Sequence, residues 1–540
     1  MTYTTSHIEA DRSIPLLDLT VGDLLRRSAE LAPDHTALVE GTAARESRRR
    51  YSYAQLLTEA EAGARALLGQ FQPGEHVAII APNMAEWTLF QLSAALAGLV
   101  IVTINPVLRP NEVRHILVQS DTVGVFAADR YRDQDLHAMV TALQAEMQAE
   151  MQAEVPLVRQ VFRLADWAEF ARAGATSTAA LPVVKPHDHV MIQYTSGTTG
   201  APKGALLHHF GLVNSGLLIA ERLQRGRDDV WLNPMPMFHT GGCVMGTLGV
   251  MASLGSQVVM PEFDPALMLR LIEEERATYT LVVPTMAMAL MEHPNFDTTD
   301  LSSLQLLSSG ATTVPPELVR RIEARFGVTF NMVMGQTESG SVIFMSRLDA
   351  SPAQKGETLG VPLAQWETKI ADETGEPVPI EAAGEICCRG FGVMAGYFNM
   401  PEATAQAIDA DGWLHTGDIG VMAADGYTRI TGRVKDMIIR GGENIFPREI
   451  EDVLITHEAI ADAAVLGVPD EKWGEQPVAF LRLKGSERPS DLELTEFLRE
   501  RIARHKVPRE WFVVDAFPMN ASGKVQKFLL RERYAAERGA

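Results

Sequence analysis

The sequence predicts an α/β protein in two parts. A large N-terminal domain of parallel α/β layers carries a β-rich subdomain, and a small α+β domain follows it. Three observations lead there. The chain has 540 residues, more than one ordinary core organises. Apolar runs of strand length alternate with helix-like segments of about a dozen residues, as in parallel sheets covered by helices. From about residue 365 the pattern shifts to short strands and turns, and after Lys435 to a compact mixture of both element types.

Taken in order, residues 1–50 read as a leader and one helix. Val21 to Leu31 places Leu24, Leu25, Ala29 and Leu31 at helical spacing, and Arg48-Arg49-Arg50 reads as a solvated turn. HVAIIAPN (76–83), VIVTINP at the end of 95–106, and GVFAADR (124–130) read as strands ended by turns, the second following a helix and a glycine break. The tandem QAEM segment (143–154) is rich in helix formers and reads as an exposed helix extension. A Gly/Ser/Pro-rich connector (173–187) leads to the strand VMIQYT. SQVVMPEF (256–263), YTLVVPT (279–285) and LQLLSSGA (304–311) continue the alternation. MAMALM (286–291) reads as a core helix, with the backing of an apolar pocket as a second reading. ETKIADETGEPVP, GEICCRG, DGWLHTGD and DGYTRITGR supply the β-rich part, and EIEDVLITH, IADAAVLGVPD, QPVAFLRL and LELTEFLRERI the last domain. The boundary falls near Lys435, giving domains 1–434 and 435–540.

Composition narrows the function. A formal charge of −21, from 48 basic and 69 acidic residues, disfavours nucleic acid as a partner. The N-terminus is polar and lacks the apolar stretch of a signal peptide, and the apolar runs are too short for an integral membrane segment, so a cytoplasmic location is expected. The three cysteines, Cys243, Cys387 and Cys388, have no C-x-x-C spacing, so neither a disulfide framework nor a zinc site is expected.

The stretch QYTSGTTGAPKG (193–204) carries the first chemistry. Glycines allow close approach of a ligand to the main chain, successive N–H groups make an anion cradle, and hydroxyls with one lysine add donors. The combination suits a polyphosphate. It is not a P-loop of the form G-x-x-x-x-G-K-[ST]: counted from Gly197, Pro202 stands at the second glycine and Gly204 follows Lys203. A flexible Gly/Thr surface turn is the lesser reading of the stretch taken by itself.

It does not stand by itself. PMFHTGG (236–242), SSGAT (308–312), MGQTESG (334–340), GEICCRGFGVMAGYFN (384–399), DGWLHTGD (411–418), ITGRVKDMIIRGGENIFPREIE (430–451) and NASGKVQK (520–527) follow in order. With this set the chain, from about residue 20 to residue 530, resembles the AMP-forming acyl-CoA synthetases of the adenylate-forming superfamily. The resemblance implies a ligase that joins a carboxylate to the α-phosphate of ATP and then passes the acyl group to coenzyme A. It also implies that the small domain is mobile. Thr195, Ser196, Gly197, Thr198, Thr199, Gly200 and Lys203 would hold the phosphates. Glu338, with Thr195, would hold Mg²⁺, and Thr337 would meet the α-phosphate. Ser309, Gly310, Ala311, Met334, Gly335 and Gln336 would line the nucleotide and acyl pockets. Asp418 would accept the ribose hydroxyls, with Ile430 and Arg433 beside it.

His239 would stand by the acyl group as a gate; without its motif it would read as a packed core histidine. Lys435 is the implied hinge, about which the small domain brings in first Lys524 and then the segment Arg440 to Glu443, with Gly441 and Gly442 letting the thiol pass. Lys524 would bridge carboxylate and α-phosphate as charge builds. Met334 departs from the family's aromatic at that place, and a thioether covers a base without stacking on it. The small residues Thr240, Gly241, Gly242, Cys243, Ser309, Gly310 and Ala311 favour a medium-to-long or bulky acid. A separate acyl carrier protein as acceptor, a luciferase-like oxygenase and a nucleotide-sensing scaffold are the other readings, and a homodimer stays open. From the assigned roles, Lys524→Ala is expected to abolish acyl-adenylate formation and to spare thioester formation from supplied acyl-adenylate. Single-turnover assays of the two halves check this, and equal loss in both would reverse the assignment.

Overall fold

The computed structural model describes residues 2–150, 158–195, 202–310, 314–441, 443–470, 472–485, 487–519 and 525–538. Among them, four larger sheets organise the chain. In a seven-stranded sheet, Gln160–Arg163, Thr122–Ala127, His76–Ile80, Val100–Ile104 and His189–Thr195 run parallel. Lys203–His208 and Gly396–Tyr397 close its far side antiparallel. In a nine-stranded sheet, Thr36–Glu40, Ser256–Val259, Val230–Asn233, Tyr279–Val282, Leu306–Ser309 and Thr329–Gln336 are parallel neighbours, in that spatial order. Chain order and spatial order differ, as expected for strands joined by covering helices.

The helix Ala85–Leu96 shows why both sheets belong to one body. Every one of its residues is buried, because it is apolar nearly all round. Gln91 Nε2 donates to the Cys243 carbonyl at 3.1 Å, and Thr103 Oγ1 to that of Phe238 at 2.9 Å, so the helix and the first sheet grip the segment after Asn233. Asn83 fixes the same segment, donating to the carbonyls of Met235 and Met260 and accepting from the N–H of Met237.

The β-rich expectation after residue 365 is met by a five-stranded antiparallel sheet of Trp366–Ala371, Gly384–Gly390, Leu414–Met422 and Thr428–Arg433. Its fifth strand is a correction. His7–Ile8, read as part of a leader, pairs with Trp366–Ala371 at the edge of this sheet. The last sheet contains Ile438–Arg440, Glu443–Ile445, Ile460–Asp470, Gly474–Leu483 and Trp511–Val513, and packs its own apolar clusters around Val465, Phe480 and Leu494.

One helix reading changes and one holds. The QAEM helix runs Leu136–Glu150 over the described residues but is not simply an exposed extension: Leu143 and Met147 are buried. Four residues apart, they share the face that meets the core. MAMALM is the core helix Pro284–Glu292, with Ala287, Leu290 and Met291 inward and Met286 and Met288 at the edge of the cluster.

The arginine run is no solvated turn. Arg48 has a fully buried side chain whose guanidinium meets Glu274 at 2.5 Å and Glu275 at 2.6 Å, with Nε donating to the Thr42 carbonyl at 2.9 Å. Arg50 adds a second bond to Glu275, and Arg49 pairs with Glu40 and Glu86. Glu274 and Glu275 close the helix Pro265–Glu275, whose C-terminal carbonyls also favour a cation. Sequence alone could not show this, because those acids lie more than 220 residues away. Arg48→Ala is expected to cost about 3 kcal/mol by denaturant unfolding, since the partly buried Glu274 loses the guanidinium and Glu275 keeps only Arg50. The half-exposed Arg49→Ala should cost about 1 kcal/mol or less.

Candidate functional site

The C-terminal ends of the parallel strands gather the motifs. Thr195, Asn233, Ser309 and Gln336 are the last residues of their strands, and ligands of open α/β sheets bind at that edge. The loop QYTSGTTGAPKG is carried on a hairpin. Thr195 stands opposite Lys203, and Tyr194 opposite Gly204, so both flanks of the loop are fixed by the ladder. Ser196, Gly197, Thr198, Thr199 and Gly200, together with Ala311, Gly442 and Lys524, lie outside the described residues.

Glu338 sits in a short turn, Thr337–Ser339, that packs against both strands of this hairpin. Ser339 Oγ donates into the turn, and the Glu338 carbonyl accepts the N–H of Met394 at 2.8 Å. The Glu338 carboxylate accepts the phenol of Tyr397 at 2.7 Å. Tyr397 lies on the strand that pairs with Lys203–His208, and the Lys203 ammonium rests over its ring at 4.8 Å. Burial first, and then the Glu338 charge, push the Tyr397 proton affinity well above a free phenol's, so it stays a donor. Tyr397 was not among the residues expected from the sequence. Its signal was present as the aromatic of GYFN, but nothing local ties it to an acid 59 residues upstream.

Lys435 joins the same charge group. Its proton affinity is lowered, first by burial and then by the cations Lys203 and Arg433, while Glu338 and Asp436 act against that shift. Asp418 and Arg433 are cross-strand partners, and Nε of Arg433 meets the buried Asp418 carboxylate at 2.9 Å. Ile430, on the same strand as Arg433, packs partly buried on the neighbouring core. Thus Thr195, Lys203, Glu338 and Lys435 come together, and Asp418 comes with Arg433.

Arg440, Gly441 and Glu443 lie in the last sheet. Arg440 opposes Glu443, and Gly441 turns at φ +60°, donating its N–H to the Trp473 carbonyl at 2.7 Å. Both Arg440 and Lys472 stack on Trp473 at 4.8 Å, an aromatic with two cations that sequence reasoning passed over.

His239 is exposed, which removes the packed-core reading. Its Nδ1 accepts the Gly241 N–H at 3.1 Å and its carbonyl accepts from Gly242 and Cys243, so it heads a π-helical segment, Gly241–Leu248. Such segments recur at functional sites. The Cys243 thiol is pushed up to about 12 by burial and accepts from Gln193 at 3.2 Å, which leaves it inert.

The small residues divide by cause. A Cβ on Gly242 would stand 2.3 Å from the Pro236 carbonyl, and one on Gly310 2.5 Å from that of Val333. These two are small because backbones touch. A Cβ on Gly241 would meet His239, Leu281 and Met235 at 3.5–3.8 Å, ordinary contact distances, so backbone crowding does not require a glycine there. Ser309 Oγ and Gln336 Nε2 are buried with no partner among the described residues. Polar atoms left so at a strand edge are ready for a polar ligand. Met334 packs part-buried against an apolar core opposite Phe344.

Residues 25–398 match the AMP-binding enzyme family, and residues 449–524 the AMP-binding enzyme C-terminal domain. YngI of Bacillus subtilis is 38% identical over 539 residues, covering 96% of this chain and 97% of its own. The mitochondrial medium-chain acyl-CoA ligase ACSF2 of Bos taurus is 32% identical, covering 98% and 89%. ATP-bound MatB from Rhodopseudomonas palustris superposes with a TM-score of 0.84 at 28% identity, over 96% of this chain and 99% of its own. The anthranilate CoA ligase AuaEII with anthranoyl-AMP gives 0.82 at 27%, over 97% and 99%.

One residue of the strand before the turn makes a sharp test. Gly335 sits at a bulge between its strand and Ser341–Met345, where an added Cβ would lie 1.9 Å from the Ser341 carbonyl oxygen. Gly335→Ala is expected to lower stability by about 2 kcal/mol or more in urea unfolding, whereas Met334→Leu keeps volume and should cost less than about 1.5 kcal/mol.

Proposed function

The chain belongs to the AMP-binding enzyme family, and from that premise we propose that it is an AMP-forming acid–thiol ligase whose site lies between Thr195, Lys203, Glu338 and Asp418. A carboxylate oxygen of the acid attacks the α-phosphorus of ATP and pyrophosphate leaves. The sulfur of coenzyme A then attacks the acyl carbon, AMP leaves, and the thiol proton passes to solvent. The observation that carries the site assignment is the Tyr397–Glu338–Lys203 cluster at the root of the glycine-threonine hairpin.

In this reading Lys203 and the loop it anchors bind the β- and γ-phosphates, through donors that would not need to reorganise as charge moves. Asp418, aimed by Arg433, receives the ribose hydroxyls. Ser309 Oγ and Gln336 Nε2 turn to the nucleotide. Glu338 with the Thr195 hydroxyl suits Mg²⁺, which takes few protein oxygens and completes its shell with phosphate and water. Bound there, the ion would neutralise phosphate charge. Residues 435–540 act as the moving part about Lys435, bringing up Lys524 and then the Arg440–Glu443 hairpin.

For the acid we propose a medium- or long-chain acyl substrate entering past His239. The medium-chain acyl-CoA ligase among the relatives supports this. The acceptor is coenzyme A, as in the acyl-CoA ligases to which the chain is similar.

The test is pyrophosphate release with ATP and Mg²⁺ over a chain-length series of acids, with and without coenzyme A. Acid-dependent release with acyl-CoA and AMP as products is the expected result. Release unaffected by coenzyme A would move the acceptor to a carrier protein, and release confined to acetate or aromatic acids would overturn the chain-length reading. Tyr397→Phe should lower kcat/KM for pyrophosphate formation about tenfold, the loss of one hydrogen bond to a charged group. A change within about twofold would take Tyr397 out of the site's function.

A further inference from the structure

A second cluster lies in the antiparallel sheet, outside the machinery described above. Cys387 on the strand Gly384–Gly390 and His415 on Leu414–Met422 are direct cross-strand partners. Sγ of Cys387 lies 3.6 Å from Nδ1 of His415, and Oε2 of Glu385 lies 2.8 Å from the same nitrogen. The three donor atoms all fall within 4.8 Å of one another. On the other side of the ring, Nε2 of His415 faces Oδ2 of Asp409 at 3.5 Å. Cys387 is buried beside Trp413 and Ala371, while Glu385 and His415 are partly open to solvent.

We propose that Glu385, Cys387 and His415 form a binding site for a borderline divalent cation of the Zn²⁺ class. The donor set of one sulfur, one imidazole nitrogen and one carboxylate oxygen is what such a cation takes, with water as the fourth ligand. Tetrahedral Zn²⁺ sets its nitrogen and sulfur ligands about 3.6 Å apart and its nitrogen and oxygen ligands about 3.3 Å apart. The first spacing is already present, and the second needs the carboxylate to move by about half an ångström. Asp409 supplies the outer carboxylate that metal-bound histidines characteristically hold with their second nitrogen. Alternation along the strand sends Cys388 to the opposite face, into a separate apolar cluster, so only one thiol is offered.

In the metal-free protein Cys387, and next Glu385, hold a proton on His415, whose pKa is raised to about 10. Cation uptake must displace that proton, as metal binding to imidazole and thiol always does. The site also touches the nucleotide machinery through one bond. Oε1 of Glu385 accepts the N–H of Gly417 at 3.0 Å, one residue before Asp418. Two cations stack on the neighbouring Trp413, and each has its own partner: Lys369 the Gly375 carbonyl, Arg389 the Glu367 carboxylate.

The test uses the full chain stripped of metal by chelator, titrated with Zn²⁺ and, as a spectroscopic probe, with Co²⁺. One equivalent of Zn²⁺ should bind with Kd at least tenfold below that of Cys387→Ser. Co²⁺ should produce a thiolate-to-metal absorption that is absent in Cys387→Ser and weakened in His415→Gln. Folding of each variant is verified by circular dichroism. Equal Zn²⁺ affinity in the wild-type chain and Cys387→Ser, or no thiolate absorption with Co²⁺, would overturn the proposal. Because both readouts are binding alone, failure here leaves the ligase reading untouched, and failure of the ligase assays leaves this one untouched.

Discussion

The site depends on holding one carboxylate at the seam between two sheets. Glu338 follows the strand Thr329–Gln336 of the nine-stranded sheet, and Tyr397 belongs to the edge of the seven-stranded one. Their 2.7 Å hydrogen bond crosses that seam. Backbone bonds on both sides make the crossing rigid: Met394 N–H to the Glu338 carbonyl, Ala395 N–H to that of Leu206, and Phe398 N–H to that of Gly204. The hairpin bearing Lys203 is thereby held to the turn bearing Glu338. A loop places a ligand only as well as its ends are fixed, and this hairpin fixes both ends.

Electrostatics explain how a chain of net charge −21 offers a home to a polyphosphate. Burial first, and then the nearby cations Lys203 and Arg433, lower the proton affinity of Lys435. Glu338, Asp418 and Asp436 offset them in part. An anionic ligand would relieve that repulsion, so part of the work of binding is stored in the unliganded arrangement. Asp418 keeps its orientation through Arg433, and its backbone through Thr416 Oγ1, which accepts the Asp418 N–H at 3.1 Å.

The rest of the large body serves to keep these ends in place. The all-buried helix Ala85–Leu96, with Asn83 before it and Thr103 after it, clamps the segment from Met235 to Cys243 that contains His239. The arginines 48–50 tie a strand hairpin to the ends of two helices through Glu40, Glu86, Glu274 and Glu275. Asn83 and Arg48 are polar groups placed inside the protein and partnered there, which favours one packing over its neighbours.

By itself the sequence determined the strand alternation, the change of texture near residue 365, the glycine-threonine loop after VMIQYT and the order of the motifs. These are written in local spacing, composition and turn chemistry, which a short window contains. Tertiary structure decided the rest, because the partners are far apart in the chain. TALVE has too few apolar residues to announce the strand Thr36–Glu40 without Ser256–Val259 beside it. Nothing near Arg48 foretells its burial against Glu274 and Glu275, nor near Tyr397 its bond to Glu338. The smallness of Gly242 and Gly310 reads in sequence as pocket space, and only the fold shows carbonyls filling it. Cysteine spacing offered no metal site, because Cys387 and His415, 28 residues apart, become neighbours only through the register of two strands. A local pattern fixes which element forms; which side chains meet is set by how elements pair, and that is a property of the whole chain.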